Sequence, residues 1–536
     1  MDIFHIKKKV KDIKRFEEIL ALLAKEEFDI LKKNNSWSPK KLRLLFEKLG
    51  PTFIKLGQLL SLRPDLIPVN YSLEFTKLQD EIKSFPYSTA KSIIESQLKL
   101  PLNKIFKDFS KKPISAASIS QVHQATLLSG ESVAVKVQRP SIKEIMESDI
   151  DIMELLTPLL QKKLNISSVD LNLILEEFRT YTERELDFRF ELRNLTKFYD
   201  YFKSWDNIVI PKTHEKFSSK FVLTMEFIDG IKLNQQDKIR KLHFNEKLLA
   251  LTGFKAVFYQ IFDFGLFHAD PHPANLMALK PNKIAFLDFG IVGYLSPEVQ
   301  GTLLRMTLYI LENNPKKAIQ EYLKISSISK NSDIKSFTEK TEYLILDWHG
   351  STFQEMRFTT LLYEMMKVSN KYYIKPPKSL VLVAKSFLTT EGTGMIYDPK
   401  FNLTKQSKPF IKDIMLKRFS PNKVFNKVKD YSLVFNEYFN ELPKLANSFL
   451  TKFKDGNINV KLDQGDLAAL QKSNSLNSEK KSFIFLVCFL FLISVIVFFI
   501  ESSKVNSQFL LSKITFTISI LLLMVILAIF LKDINS

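Results

Sequence analysis

Apolar residues recur at three- and four-residue spacing through most of this chain, and the period drops to two in only a few short stretches. The first 50 residues follow a basic, amphipathic helical pattern, with Pro39 marking a boundary before Lys40. In the run from Leu49 to Pro64, Phe53, Leu56 and Leu60 fall on one helical face. Lys55 and Gln58, three apart, share another edge that by itself reads as a solvated one. Helical patterning continues from Phe75 to Leu98. From Pro113 the period changes: Ile114 to Leu127 reads as a strand, Ser129-Gly130 as a hairpin turn and Ser132 to Val137 as the partner strand. A long helical segment follows from Asp170 to Phe202, with Asp187, Glu191 and Asn194 on one face and Glu185 well round from Asp187. Phe221 to Gly230 reads as a buried strand ending in a turn, and Lys283 to Leu287 as a short buried one. Residues 291–450 are mostly helical in pattern and show no further chemistry.

Charges set against this pattern mark the chemistry. Lys136 stands inside an apolar strand, where a lysine is rare unless a phosphate or carboxylate meets it. The alternative is a solvent-facing lysine on an edge strand. In kinases a Val-Ala-Ile-Lys lysine occupies such a place and pairs with a helix Glu and the α/β-phosphates. The preceding segment, Ser115-Ala116-Ala117-Ser118-Ile119-Ser120, stands where a phosphate-cradling loop is expected, yet it has no Gly to bring backbone close to an anion. Glu226 lies where a kinase has its hinge.

The densest chemistry falls between Phe262 and Gly290. Asp270 is followed five residues later by Asn275, and Asp288 comes thirteen residues after that, inside Asp288-Phe289-Gly290. A kinase catalytic loop has this spacing: one Asp orients or deprotonates the nucleophile, an Asn five positions on holds metal, and the Asp of the DFG triplet holds metal against the β- and γ-phosphates. Pro271 and Pro273 keep Asp270 in a rigid loop. Two other readings stay open at this point. His268, Asp270 and His272 alternate like metallohydrolase ligands for zinc or iron, or the loop is polar for structural reasons alone. Both leave the Asn and the DFG triplet as coincidences.

Composition narrows the partners. The 536 residues have room for two or three domains, and their formal charge of +19 calls for an anionic partner. No basic–aromatic interleaving or finger-type spacing points to nucleic acid, so an anionic membrane surface is the expected one. A single cysteine, Cys488, excludes an intrachain disulfide and a Cys-based metal cluster. Ser482 to Ile500 carries no charged side chain, and Gln508 to Leu531 carries only Lys513. Each run is long enough to span a bilayer as a helix. Lys480, Lys481 and Lys532 flank their outer ends, which predicts a hairpin with both termini on the cytoplasmic side.

Together, Lys55-Leu56-Gly57-Gln58, the loop ending in Gln121-Val122-His123, Val133-Ala134-Val135-Lys136, Glu185-Leu186-Asp187, the run from His268 to Asn275 and Asp288-Phe289-Gly290 resemble the UbiB family of atypical kinase-like proteins over residues 45–300. The resemblance implies an α+β, protein-kinase-like two-lobed fold with a helical N-terminal extension, and the apolar runs add a C-terminal transmembrane hairpin. The expected division is a KxGQ-bearing extension over 1–110, an N-lobe with inserted helices over 111–235, a C-lobe over 236–450, a linker over 451–481 and membrane helices over 482–531.

Residue by residue, the resemblance implies Asp270 as catalytic and Asn275 and Asp288 as metal ligands. Ala116, Ala117, Ser118, Ile119, Ser120, Lys136, Glu191 and Glu226 are implied at the nucleotide, with Glu191 as the partner of Lys136. Lys55, Gln58, Glu185 and Asp187 are implied as regulatory. ATP and Mg²⁺ are the expected cofactors. Anionic lipid, isoprenoid quinone precursors and other ubiquinone-biosynthesis proteins are the expected partners, at a bacterial inner membrane with the kinase-like domain facing the cytoplasm. The implied activity is an atypical kinase or ATPase supporting ubiquinone biosynthesis; the alternative is a nucleotide-gated lipid-binding module with incidental turnover. Ser115, Ser120 and Ala274 depart from the family pattern, standing in place of an Ala and two Gly.

Overall fold

Ser38 and Pro39 start the first long helix of the N-terminal extension: the Ser38 side chain accepts the Lys41 N–H, and Pro39 occupies the first turn. We describe the fold from a computed structural model, whose described residues are 13–22, 38–61, 67, 69–75, 77–78, 83–164, 171–350 and 357–418. All belong to one compact unit. Residues 13–22 form α1, followed by α2 (Pro39–Leu49), α3 (Pro51–Ser61) and α4 (Val69–Phe75). Gly57 lets α2 and α3 meet, because a Cβ there would lie 2.3 Å from Leu78 Cδ1 and 2.9 Å from Phe46 Cδ2. Phe46, Phe53 and Leu60 form an apolar cluster completed from elsewhere by Ile150, Ile174 and Phe178.

Next come α5 (Tyr87–Leu98), β1 (Phe106–Phe109), β2 (Ser115–Ala116), β3 (Ser120–Leu127) and β4 (Ser132–Gln138). They are followed by α6 (Ile142–Leu164), α7 (Leu171–Glu185), α8 (Phe188–Phe202), β5 (Ile208–Val209) and β6 (Val222–Glu226). Strands β1, β3, β4 and β6 lie side by side in that order, all antiparallel, with β2 on β3. Strand alternation divides β4 between two faces. Val133, Val135 and Val137 pack with Ala90 and Ile94 of α5, while Ala134 and Lys136 face a cavity.

Two expectations are corrected in this lobe. Ile114 to Leu127 is not one strand: the Ala117 N–H donates to Ser120 O at 2.8 Å and closes a turn between β2 and β3. The segment from Asp170 to Phe202 is not one helix either. It breaks at Leu186-Asp187, where Leu186 is buried and Asp187 caps α8 by accepting the Arg189 N–H at 3.1 Å. The Phe188 N–H then bonds Lys220 O at 3.0 Å and ties the start of α8 to the sheet.

Gln121 and His123 of β3 fasten the segment entering this lobe. The Phe85 N–H donates to Gln121 Oε1 at 2.9 Å, and Gln121 Nε2 donates to Phe85 O and to His123 Nε2. His123 Nδ1 donates to Ser110 O at 2.8 Å, so the ring is neutral. Burial pushes its pKa down. The unfolded chain binds a proton below about pH 6.5 where the folded chain does not, so this site's stability is full above that pH and is lost below it. Thermal midpoints at about pH 7.5 and 5.5 should therefore differ more in wild type than in His123→Gln. Equal losses would contradict the assignment.

The second lobe begins with β7 (Ile231–Lys232), α9 (Gln236–Lys241) and α10 (Glu246–Tyr259). The strands β8 (Leu266–His268), β9 (Leu276–Leu279), β10 (Lys283–Phe286) and β11 (Val292–Tyr294) follow. β10 pairs antiparallel with β9 and parallel with β5, and β8 pairs with β11. Gly293 of β11 lies over Phe267, whose ring carbon Cζ would be 2.1 Å from a Cβ. The helices α11 (Pro297–Leu311), α12 (Pro315–Ile325), α13 (Ile334–Gly350), α14 (Phe358–Lys371), α15 (Lys378–Tyr397) and α16 (Leu403–Arg418) complete it. Among the described residues no helix is long and apolar enough to cross a membrane. The runs 482–500 and 508–531, and the linker before them, lie outside the described residues.

Candidate active site

A cavity of about 720 Å³ opens between the sheet, α8 and the β9–β11 loops, within the ~300–1,000 Å³ usual for ligand pockets. Lys136 reaches it because alternation along β4 turns every second side chain inward, and α8 brings Glu191 to meet it. Lys136 Nζ lies 2.9 Å and 3.0 Å from the two Glu191 oxygens and 3.6 Å from Asp288 Oδ2. Burial works against charge on both Lys136 and Glu191. Even so, Asp288 and Glu191 together raise the Lys136 pKa above its usual range, and the pair is ionic.

Asp288 follows β10 and is fixed between the fully buried Phe286 and Phe289. Partial desolvation in the cavity wall would raise its pKa, yet Lys136 and the Gly290 N–H, at 2.9 Å from Oδ1, bring it down to about 2. Phe289 packs against Phe198 at 4.6 Å between ring centroids, and Asn194 Nδ2 donates to Phe289 O at 3.0 Å, so α8 grips the DFG triplet as well as Lys136. The two loops are stitched by backbone: the Leu287 N–H donates to Asn275 O and the Ala269 N–H to Ile291 O.

Asn275 and Asp288 both line the cavity, while Asp270 is set beside Asn275 rather than on the wall. Asn275 Nδ2 donates to Asp270 O at 3.3 Å. The Asp270 carboxylate, 31% exposed, lies 3.6 Å from Lys385 Nζ of α15. Lys385, with Lys378 and Leu382 of the same helix lining the cavity, brings the segment beyond residue 291 to the site, which the helical pattern alone did not indicate. Its signal was available, since it interrupts the apolar run Val381 to Phe387 as Lys136 interrupts its strand.

The loop residues divide. Ala117, Ile119 and Ser120 line the cavity; Ala116 and Ser118 do not, and Ser118 is wholly buried. With no Gly, the loop closes on itself and is clamped by Arg139, whose Nε donates to Ala117 O at 2.8 Å. The Ala117 amide is thereby used inside the turn. Glu226 lines the far end, although its carboxylate accepts the Lys212 N–H at 3.2 Å. Ala134, Met225 and Met277 give that end an apolar slot.

On the opposite side α3 presents Lys55, only 6% exposed and ion-paired with Glu185, which corrects the solvated-edge reading. Gln58 is half-buried on the same helix and does not line the cavity. Asp187 does, held by the Arg189 guanidinium at 2.6 Å. The helix break places Glu185 toward Lys55 and Glu191 toward Lys136.

The donor set fits Mg²⁺ rather than zinc. Asn275 and Asp288 offer hard oxygens on one wall, and the Asp288 side chain is 49% exposed there, as befits a site completed by phosphate oxygens and water. The histidines serve the backbone instead: His268 Nδ1 accepts the Asp270 N–H and His272 Nδ1 accepts the Ala274 N–H. Among the described residues no group of three or more His, Cys, Asp or Glu side chains is placed to hold a metal ion.

Family models agree with this geometry. One described as the ABC1 atypical kinase-like domain matches residues 77–323, and one described as the UbiB helical domain matches 342–402. The probable protein kinase UbiB of Marinobacter nauticus is 30% identical over 449 residues, 82% of this chain and 81% of that protein. This chain belongs to the UbiB family of ABC1 atypical kinase-like proteins. Another relative, the chloroplastic Activity of BC1 Complex Kinase 7 of Arabidopsis thaliana, is 32% identical over 69% of this chain, which spans 53% of that protein's length. Among solved structures, the Rv3197–erythromycin complex from Mycobacterium tuberculosis is similar at 23% identity and a TM-score of 0.48, over 68% of this chain and 93% of that one. The family's kinase-like α+β fold accounts for the two lobes, and α14 and α15 fall wholly within the UbiB helical domain.

Proposed function

We propose that this chain is a membrane-anchored atypical kinase or ATPase that binds Mg-ATP and supports ubiquinone biosynthesis. The observation that carries the reading is the convergence of Lys136, Glu191, Asp288 and Asn275 on one cavity, with Asp270 beside Asn275. The apolar slot at Ala134 and Met225 takes the adenine, and Lys136, oriented by Glu191, takes the phosphates. Asn275 and Asp288 would hold Mg²⁺, which would supply charge neutralisation to the phosphates. Asp270 orients the attacking hydroxyl or water and receives its proton. Membership of the UbiB family supports the link to ubiquinone precursors. The test is ATP turnover by the purified full chain with anionic vesicles and quinone-precursor phenols, all products being identified. Turnover with phosphate or a phosphorylated phenol as product fits; no nucleotide-dependent product under any condition contradicts the reading.

The runs 482–500 and 508–531 supply the anchor. A chain ending at Lys481 should leave the membrane fraction and still bind nucleotide, with only a salt-sensitive attachment to anionic lipid. An aggregated chain that binds no nucleotide would instead assign those runs to the core.

Lys55 and Glu185 regulate the reaction from α3 and α7. With α3 along the cavity, phosphorylation of proteins in trans is slight. Lys55→Ala should keep nucleotide binding while phosphate release or self-phosphorylation shifts from wild type, as followed with radiolabelled ATP. Unchanged rates in both channels would reduce the Lys55–Glu185 pair to a structural contact.

A further inference from the structure

The catalytic loop from Asp270 to Asn275 contains no Lys or Arg. Phosphoryl transfer nevertheless concentrates negative charge between the acceptor and the departing nucleotide, at the place where Asp270 receives a proton. A cation beside that place comes from a different part of the chain. Lys378, Leu382 and Lys385 recur on one face of α15 at four- and three-residue spacing. The first two line the cavity, and the third ends 3.6 Å from Asp270 Oδ1.

Lys385 is not a solvated charge: only 5% of the residue is exposed. Nor is it tightly paired where it stands. An ammonium carries three donors, and among the described residues Nζ has the Asp270 oxygen as its ion-pair partner, beyond ordinary hydrogen-bond length. A largely buried ammonium held this loosely is open to an incoming anion. Its backbone is held firmly, since the next residue, Ser386, donates its Oγ–H to His268 O at 2.9 Å and locks α15 to β8. The helix thus fixes a cation beside the acceptor position with Asp270 as its ion-pair partner.

We propose that Lys385 is a catalytic residue that contacts the transferring phosphoryl group from the acceptor side. The inference rests on the kinase or ATPase reading above. In the reaction the acceptor oxygen bonds to the γ-phosphorus as the bond from that phosphorus to the β–γ bridging oxygen breaks. The acceptor's proton passes to Asp270, and ADP leaves with the electron pair of the broken bond. Lys385 keeps Asp270 in place through their ion pair and directs its other donors at the phosphoryl oxygens. Lys136 serves the nucleotide side of the same group, so two lysines from opposite lobes flank it. This also gives the helical domain a part in the chemistry.

The experiment uses full-length protein with Lys385→Met and, to keep a polar side chain, Lys385→Gln. Phosphate release from Mg-ATP gives kcat and KM, calorimetry gives the ATP dissociation constant, and a thermal melt reports folding. Both variants should lower kcat about 10²-fold or more and leave the ATP dissociation constant within about threefold, because ground-state binding belongs to Lys136, Asn275 and Asp288 rather than to α15. The Met variant should melt close to wild type, since the charge it removes meets Asp270 only at 3.6 Å. A kcat within twofold of wild type in either variant would overturn the proposal. So would a lowered melting temperature with full activity per folded molecule, which is the mark of a structural lysine. A wild-type chain that neither binds ATP nor releases phosphate would instead overturn the kinase reading itself, and this proposal with it.

Discussion

Asp288→Asn should abolish the Mg²⁺-dependent part of nucleotide binding and reduce turnover by about 10²–10³-fold, the scale of losing one preorganised electrostatic group. The substitution keeps size and shape, and the Gly290 N–H can still donate to the amide oxygen. What disappears is the negative charge, which Lys136 and the Gly290 N–H favour by holding the carboxyl well below its usual range. With Asp288 neutral, Asn275 is the one remaining oxygen ligand of the pair, too weak to hold Mg²⁺ without a carboxylate. Lys136 keeps Glu191 and stays charged, so a weak metal-independent affinity for the phosphates persists. The check is nucleotide-dependent thermal shift with and without Mg²⁺, together with phosphate release. A metal-dependent shift of wild-type size in the variant would remove Asp288 from the metal site.

Lys136→Met is expected to have the largest effect on folding. Glu191 is only 6% exposed and its two oxygens are met by Lys136. Removing the cation alone leaves a buried carboxylate beside Asp288, and breaking such a pair costs about 3–5 kcal/mol. Nucleotide binding should be lost as well. The companion Lys136→Met with Glu191→Leu separates the two roles: stability should return, because a buried ion pair replaced by apolar groups is about neutral, and binding should not. Denaturant midpoints and ATP titration of the single and double variants make the comparison. A single variant as stable as wild type would show that Glu191 does not depend on Lys136.

The parts of the site visible in the sequence are those where chemistry forces a residue against its local pattern. Lys136 in an apolar strand and the Asp270, Asn275 and Asp288 spacing are of that kind, and the structure brings all four residues to one region. Elements whose boundaries depend on a single cap were not visible. Helical periodicity runs unbroken through Leu186-Asp187, and the break follows from tertiary contacts: Leu186 goes into the core and the Phe188 N–H finds Lys220 O. Asp187 ahead of an apolar run is the one local sign of it. The turn at Ala117 to Ile119 was hidden for the opposite reason, because small residues fit a strand or a turn equally well. Lys385 carried the same signal as Lys136, but 115 residues separate it from Asp270, and only the packing of α15 onto β8 reveals what it meets.

The most direct test of the account is a calorimetric titration of ATP into the full-length chain, first with Mg²⁺ and then with the metal chelated. Saturable binding at one site that weakens at least about tenfold on chelation is the predicted result, as expected of a site in which Asn275 and Asp288 bind through the metal. Absence of binding, or an affinity unaffected by chelation, would contradict it.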